Sequence, residues 1–201
     1  MIINMNIPIA IILSMPIIGY IFYNVFILKD KEYFKYIFMG IFMMYILGLL
    51  KYSIMPIYIN STIAQEIHKT QSTSGNIINN MNLIPFFKGF SFKDFFLNVI
   101  MTFPMGFLLP CINKKNISQI IKYGIILGLG IEIIQILLGF IQGFTFRNIN
   151  INDSIANVLG VFLGYLILTM FVQTYIQVFK NSKNKLVISL LNYLETKYIR
   201  H

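Results

Sequence analysis

This 201-residue chain has little charge and almost no cysteine. Only 11% of its residues are charged, against about 25% in an ordinary water-soluble domain. Cys111 is the single cysteine, which excludes an intramolecular disulfide and a cysteine metal cluster. His68 and His201 are far apart in the sequence, so neither a metal site nor a cofactor is expected. Acidic residues are also few, 7 against 16 Lys and Arg, giving a net charge of +9. That excess does not point to nucleic acid. The basic residues are scattered between apolar stretches, where they mark cytoplasmic loops and contact anionic lipid. No Pro/Ser-rich or charged linker divides the chain, so one compact bundle is expected.

What the chain does have is apolar surface: 57% of its residues are hydrophobic. About 20 consecutive apolar residues suffice to cross the ~30 Å hydrocarbon core as a helix. Five such stretches are predicted, Ile7–Leu28, Tyr36–Ile59, Asp94–Ile112, Gln119–Ile141 and Asp153–Ile176. The fold class is an all-α membrane protein, a bundle of five transmembrane helices. The first stretch lacks a basic leader and a small-residue cleavage site, and reads as a span and not as a removed signal peptide. Lysines set the direction. Lys29, Lys31 and Lys35 follow span one, Lys114, Lys115 and Lys122 follow span three, and Lys180, Lys183 and Lys185 follow span five. These regions share the cytoplasmic side by the positive-inside rule, with the N-terminus outside and the C-terminus inside. Two parts are expected, a membrane bundle over residues 1–180 and a basic amphipathic cytoplasmic tail over 181–201. In the tail, Val187, Leu190, Leu191, Leu194 and Tyr198 form one helical stripe. It suits either a helix on the inner membrane surface or one packed on a protein neighbour. The polar segment 60–80 reads as an outer loop.

Several polar residues fall where lipid is expected. Asp94 and Asp153 stand at the outer ends of spans three and five, with Asn98 and Asn157 one turn deeper on the same faces. Span four carries Gly124, Gly128, Glu132, Gln135 and Gly139 on one stripe. Span five answers with Asp153, Ala156, Asn157, Gly160 and Gly164. Small residues at four-residue spacing let membrane helices approach closely. Gly124, Gly128, Gly160 and Gly164 are therefore expected to bring spans four and five together, with their polar residues meeting in the outer leaflet. Pro104 interrupts the backbone ladder of span three near this site. Arg147, just before span five, is the candidate cation, with Lys88 and Lys51 as others, although Lys51 also suits snorkelling to the surface. An ionisable residue within a span is a functional hypothesis by default. For Glu132 the alternative is a structural role, in an ion pair with Arg147 or as a protonated group bonded to Asn157. The pattern D-x-x-x-N-V-x-x-x-F occurs at 94–103 and again at 153–162. It implies two similar helices facing each other in parallel, or a coincidence in a chain rich in Phe, Ile and Asn.

Four pieces in order carry a resemblance. "NLIPF" (82–86), "N-x4-F-P-M-G-F-L-L-P" (98–110), "I-E-x-x-Q" (131–135) and "R-x-x-N-I-N-D-x-x-x-N-x-x-G" (147–160) are similar to the VanZ-like family. The similarity covers roughly residues 36–168. The matching positions are Asn82, Pro85, Asn98, Pro104, Gly106, Glu132, Gln135, Arg147, Asp153, Asn157 and Gly160. One departure stands out: Asn150 occupies the place of the family's usual first aspartate in R-x-x-D-x-[DN]-D. The resemblance implies a bacterial cell-envelope protein, in a family whose founding member is associated with low-level resistance to the glycopeptide teicoplanin.

Three functions then compete. The first is binding of a lipid headgroup, on or near a lipid-linked cell-wall precursor. Arg147 would hold a phosphate or carboxylate, and Asn82, Asn98 and Asn157 would hydrogen-bond the remaining polar atoms. The second is a membrane-embedded enzyme on a lipid-linked phosphate, with Glu132 or Asp153 as general base and Arg147 stabilising charge. No G-x-S-x-G, H-E-x-x-H or P-loop pattern accompanies it. The third is a structural or partner-binding module that the polar cluster locks together. Membrane lipids are the expected partners in the first two.

Overall fold

A computed structural model describes residues 2–58, 66, 81–86, 90–142 and 149–198. Its elements are β1 (Ile2–Ile3), α1 (Ile7–Phe22), α2 (Tyr33–Ser53), β2 (Ile57–Tyr58), α3 (Phe92–Ile112), α4 (Ile117–Gln142), α5 (Ile151–Phe179) and α6 (Lys185–Tyr198). A π-helical turn, Tyr23–Ile27, prolongs α1. Five of these helices are long and apolar enough to cross a membrane, so the chain forms the expected all-α bundle of five transmembrane helices. Arg147, Lys88, His68, His201 and nearly all of segment 60–80 lie outside the described residues.

The starts of the helices are written in short polar residues. Asn6 caps α1 by accepting the Ile9 N–H at 3.2 Å, with a proline in its first turn. Ser91 caps α3 through the Asp94 N–H at 3.3 Å. Asn150 caps α5 through the Asn152 N–H at 3.1 Å. Each side-chain oxygen satisfies a backbone donor that has no partner within the helix.

Span two ends earlier than its composition implies. The expected helix ran to Ile59, whereas α2 stops at Ser53. Pro56 disfavours helical backbone in the residue before it, and Ile57–Tyr58 turns extended to pair antiparallel with Ile2–Ile3. The Tyr58 N–H then reaches the Gln142 Oε1 at 2.9 Å, tying this segment to the end of α4. α3, by contrast, runs unbroken through Pro104 and Pro110.

The centre of the bundle is the contact of α3 with α5. A Cβ on Gly106 would lie 1.8 Å from the Val161 carbonyl oxygen. One on Gly160 would lie 2.3 Å from Thr102 Oγ1 and from the Val99 oxygen, and one on Gly164 2.1 Å from the Phe103 oxygen. Contacts rise together along both helices, so the pair is parallel. On the other flank of α5, a Cβ on Gly128 would lie 2.9 Å from the Ser154 oxygen and one on Gly124 3.4 Å from Val158 Cα. Ser154 Oγ donates to the Gly128 carbonyl at 3.2 Å. The glycines thus divide their work differently from the expectation. Gly124 and Gly128 join spans four and five, but Gly160 and Gly164 face span three.

At the opposite end from β2, α6 packs on the bundle, so the protein neighbour of the tail is this chain itself. Leu194, 2% exposed, shares a core with Cys111, Leu168 and Val172. The Tyr193 hydroxyl donates to the Cys111 carbonyl. Lys197 and Lys35 both approach Glu32, at 3.5 and 3.3 Å. Nearby, Asp30 accepts from the Tyr36 hydroxyl and from the Glu32 N–H.

Two predictions follow from these contacts. Gly106→Ala and Gly164→Ala each destabilise the purified protein by about 1–3 kcal/mol or more, since backbone must move to admit the methyl. Gly130→Ala, where nothing lies within 4 Å, leaves the unfolding temperature unchanged in the same detergent. The second concerns Asp30, whose carboxyl is held below its usual range, first by the Tyr36 hydroxyl and then by the Glu32 N–H. Its depressed folded value means that its stabilising effect is present at neutral pH and is lost as pH falls through that value. Tyr36→Phe should move the Asp30 carboxyl back up toward the ordinary aspartate range in a carboxyl-carbon NMR titration.

Candidate functional site

The polar residues meet at the end of the bundle where α3 and α5 begin. α4 brings Glu132 to this level, 7% exposed. Its carboxylate accepts the Asn150 backbone N–H at 3.1 Å, so one acidic side chain on α4 fixes the residue that caps α5. Asn150 Oδ1 also accepts from Asn152 Nδ2 at 2.8 Å. Asn152, 1% exposed, in turn accepts the Phe86 N–H at 2.9 Å. Asn82 forms an isolated parallel bridge with Asn150: its N–H meets the Ile149 carbonyl and its carbonyl meets the Ile151 N–H, both at 2.9 Å. The NLIPF segment is thereby held against the start of α5 at two points. Phe86 adopts φ 55°, a left-handed conformation unusual for a bulky residue. Its bond to Asn152 and its ring contacts with Phe90 and Phe95 hold it there.

Beside this network lies a cavity of about 590 Å³. α2 contributes Tyr52 and Ser53, and α5 with its cap contributes Asn150 and Asp153. α3 supplies the stripe Asp94, Leu97, Asn98 and Met101, with Ile100 beside it. α4 supplies Ile131, Glu132 and Gln135. Its walls are cross-linked by Gln135 Nε2, which donates to the Ser53 carbonyl at 2.9 Å, and by Ser53 Oγ, which meets Met101 Sδ at 3.2 Å. The described lining therefore holds three carboxylates, three side-chain amides and two hydroxyls. Among the described residues no group of three or more His, Cys, Asp or Glu is arranged to hold a metal ion.

Five of the residues singled out in the sequence line this one cavity: Asp94, Asn98, Glu132, Gln135 and Asp153. Two others stand next to it. Asn82 supports it through Asn150. Asn157 is 1% exposed in the packing beneath, and its carbonyl accepts the Thr102 hydroxyl at 2.9 Å. Both atoms of its side-chain amide lack a hydrogen-bond partner. Arg147 and Lys88 fall outside the described residues. Lys51 is exposed with its ammonium 5.8 Å from the Tyr52 ring centroid, and it is not part of the cavity lining.

Sequence reasoning passed over Ser53, Tyr52, Thr102 and Asn152. Thr102 sits one turn from Asn98, and Asn152 beside Asp153, so the helical stripe and the polar run N-I-N-D were the available signals. Around Ser53 only Pro56, three residues on, signals the end of α2.

Five spans, four of them around a polar cavity, define a multi-pass membrane protein. The chain belongs to the VanZ/LLP1 family, whose model matches residues 37–172. That range takes in α3 and α4 and most of α2 and α5, the helices that line the cavity, and omits α1 and α6. Protein VanZ of Enterococcus faecium is 32% identical over 122 residues, which cover 58% of this chain and 71% of that protein. No solved structure matches the fold.

The Glu132 bond gives a direct expectation. Glu132→Gln keeps a carbonyl acceptor for the Asn150 N–H and retains near-wild-type thermal stability. Glu132→Leu leaves that donor without an acceptor and costs about 1–3 kcal/mol, measured as a lower unfolding temperature in detergent.

Proposed function

We propose that this protein binds the headgroup of a lipid-linked cell-wall precursor at the outer leaflet of the bacterial cytoplasmic membrane, and thereby gives low-level protection against teicoplanin. The observation that carries the reading is the cavity among α2, α3, α4 and α5, which gathers polar residues from three spans and the end of a fourth. Its volume lies in the range of about 300–1,000 Å³ common for small-molecule sites. The lysine distribution supports an outward-facing cavity end. Asn98, Gln135 and Asn150 supply amide donors and acceptors, and Glu132 and Asp153 supply acceptors for hydroxyl or amide groups. Arg147, three residues ahead of Asn150 in the chain, would hold a phosphate or carboxylate of the same ligand. A glycopeptide with an acyl tail works at this membrane surface, so altered presentation of the precursor there gives a physical route to protection. Membership in the VanZ/LLP1 family agrees with it.

One observation favours a second reading, a structural or partner-binding module. Glu132 spends a carboxylate oxygen on the Asn150 backbone, as a residue that merely locks helices together would. The two readings part on Glu132→Gln, which preserves that bond and removes the charge.

The test is growth of a sensitive Gram-positive host expressing wild type, Glu132→Gln or Arg147→Ala at matched membrane levels. Wild type should raise the inhibitory concentration of teicoplanin and leave that of vancomycin unchanged, and both substitutions should remove the effect. A well-folded wild-type protein that gives no protection overturns the resistance role. Protection retained by Glu132→Gln favours the structural module.

A further inference from the structure

The glycine contacts fix the register of α3 against α5. A Cβ on Gly164 would lie 2.1 Å from the Phe103 oxygen and 3.0 Å from the Phe107 nitrogen, which sets Gly164 at the height of Met105. One on Gly160 would touch Val99 and Thr102, in the same register. Counting back along both parallel helices from that height brings Asn157 level with Asn98, and Asp153 level with Asp94. A tier of carboxylates at the helix starts is thus followed, one turn in, by a tier of amides. Three of these four residues line the cavity, and Asn157 does not. It is 1% exposed, and neither atom of its amide has a hydrogen-bond partner.

The surroundings of Asn157 place that amide. Its backbone carbonyl accepts the Thr102 hydroxyl of α3 at 2.9 Å. Its Cβ lies 3.4 Å from where a methyl on Gly128 of α4 would stand. The side chain therefore leaves α5 between α3 and α4. Helical side chains lean toward the start of their own helix, and α5 starts at the cavity. The amide is aimed at the cavity from just outside its lining. Buried amides are nearly always hydrogen-bonded, because otherwise their lost hydration is not replaced. Where protein atoms supply no partner, a buried water does so, provided that two to four polar groups converge on it. That condition separates Asn157 from the other unpartnered group, the buried Tyr45 hydroxyl. Tyr45 packs on Met105, Ile120 and Val161, in a cluster without a carboxylate or an amide. Asn157 has Asn98 at its own height and Glu132 one turn along α4 from Gly128, both in the cavity lining.

We propose that Asn157 holds an ordered water in the wall of the cavity, shared with Asn98 and Glu132. Asn157 then acts on the cavity through this water, as a positioning residue behind the lining. The consequence is chemical. Ionised carboxylates only accept hydrogen bonds, whereas a water fixed by an amide can donate or accept. It lets this part of the wall meet either a carbonyl or a hydroxyl group. The inference concerns the hydration of the site and stands whichever ligand the cavity takes.

The experiment uses the full-length protein in phosphatidylglycerol liposomes, isotope-labelled at its asparagine side chains. Solid-state NMR follows magnetisation as it passes from water to each amide. Asn157→Leu assigns the Asn157 signal by its loss. Should that variant fail to fold, Asn157→Asp removes the same Nδ2 signal with almost no change of shape. Asn152 is the reference for a dry amide, because it is also 1% exposed and is bonded to Asn150 and Phe86. Asn98, in the cavity lining, is the reference for a wet one. Transfer to Asn157 should rise as early as transfer to Asn98 and well ahead of that to Asn152. A rise no faster than that of Asn152 means a dry amide and overturns the proposal. Neither result depends on teicoplanin protection, so failure here and failure of the headgroup reading are told apart.

Discussion

The backbone-to-backbone approach of α3 and α5 is the constraint on which the rest of the bundle depends. Within a membrane there is little hydrophobic drive between helices, so association rests on close packing and polar contacts. Gly106, Gly160 and Gly164 give that packing by removing side chains where carbonyl groups of the other helix would collide with them. The same approach lets the Thr102 hydroxyl reach the Asn157 carbonyl. Once the two helices are locked at that height, Asp94 and Asn98 stand opposite Asp153 and the Asn150 cap. α4 then adds to the other flank through Gly128 and Ser154, and Glu132 arrives at the α5 cap. The cavity is assembled by contacts made a turn or more beneath it.

Much of this was legible in the sequence because it is periodic. Twenty-residue apolar runs reported the spans, and a 3.6-residue stripe reported that Asp94 and Asn98 share a face, as do Glu132 and Gln135. The alternation of spans made α3 and α5 parallel, whether or not the repeated D-x-x-x-N-V pattern is a coincidence. What the sequence left open was partner choice. A glycine signals close approach without naming its neighbour, and Gly160 and Gly164 met α3 where α4 was expected. The end of α2 was hidden because Ile54–Ile59 is as apolar as the helix before it, and only Pro56 marks the change. Whether the tail stripe faced lipid or protein was equally open, since Leu194 suits both until Cys111 and Leu168 are seen around it.

Asn150 stands where the resemblance led one to expect an aspartate, and the contacts show what an amide does there. The position performs two tasks through its backbone and its side-chain oxygen, donating to Glu132 and capping α5. An aspartate would cap equally well. It would also place a further negative charge beside Glu132, in a lining that already contains Asp94 and Asp153. The amide keeps the cap and leaves the cavity with one carboxylate fewer.

The parallel run of α3 and α5 has an electrical consequence. Peptide dipoles sum along a helix to roughly half a positive charge at its start and half a negative one at its finish. In an antiparallel pair these would largely cancel at each end. Here both starts arrive at the cavity, with Asp94 and Asp153 in their first turns. Both finishes arrive at the other end, where Lys114 and Lys115 follow α3 and Lys180 follows α5. The α3–α5 pair is polarised along its length by its backbone, and Asp94 and Asp153 at its start and Lys114, Lys115 and Lys180 at its finish sit where that field favours them.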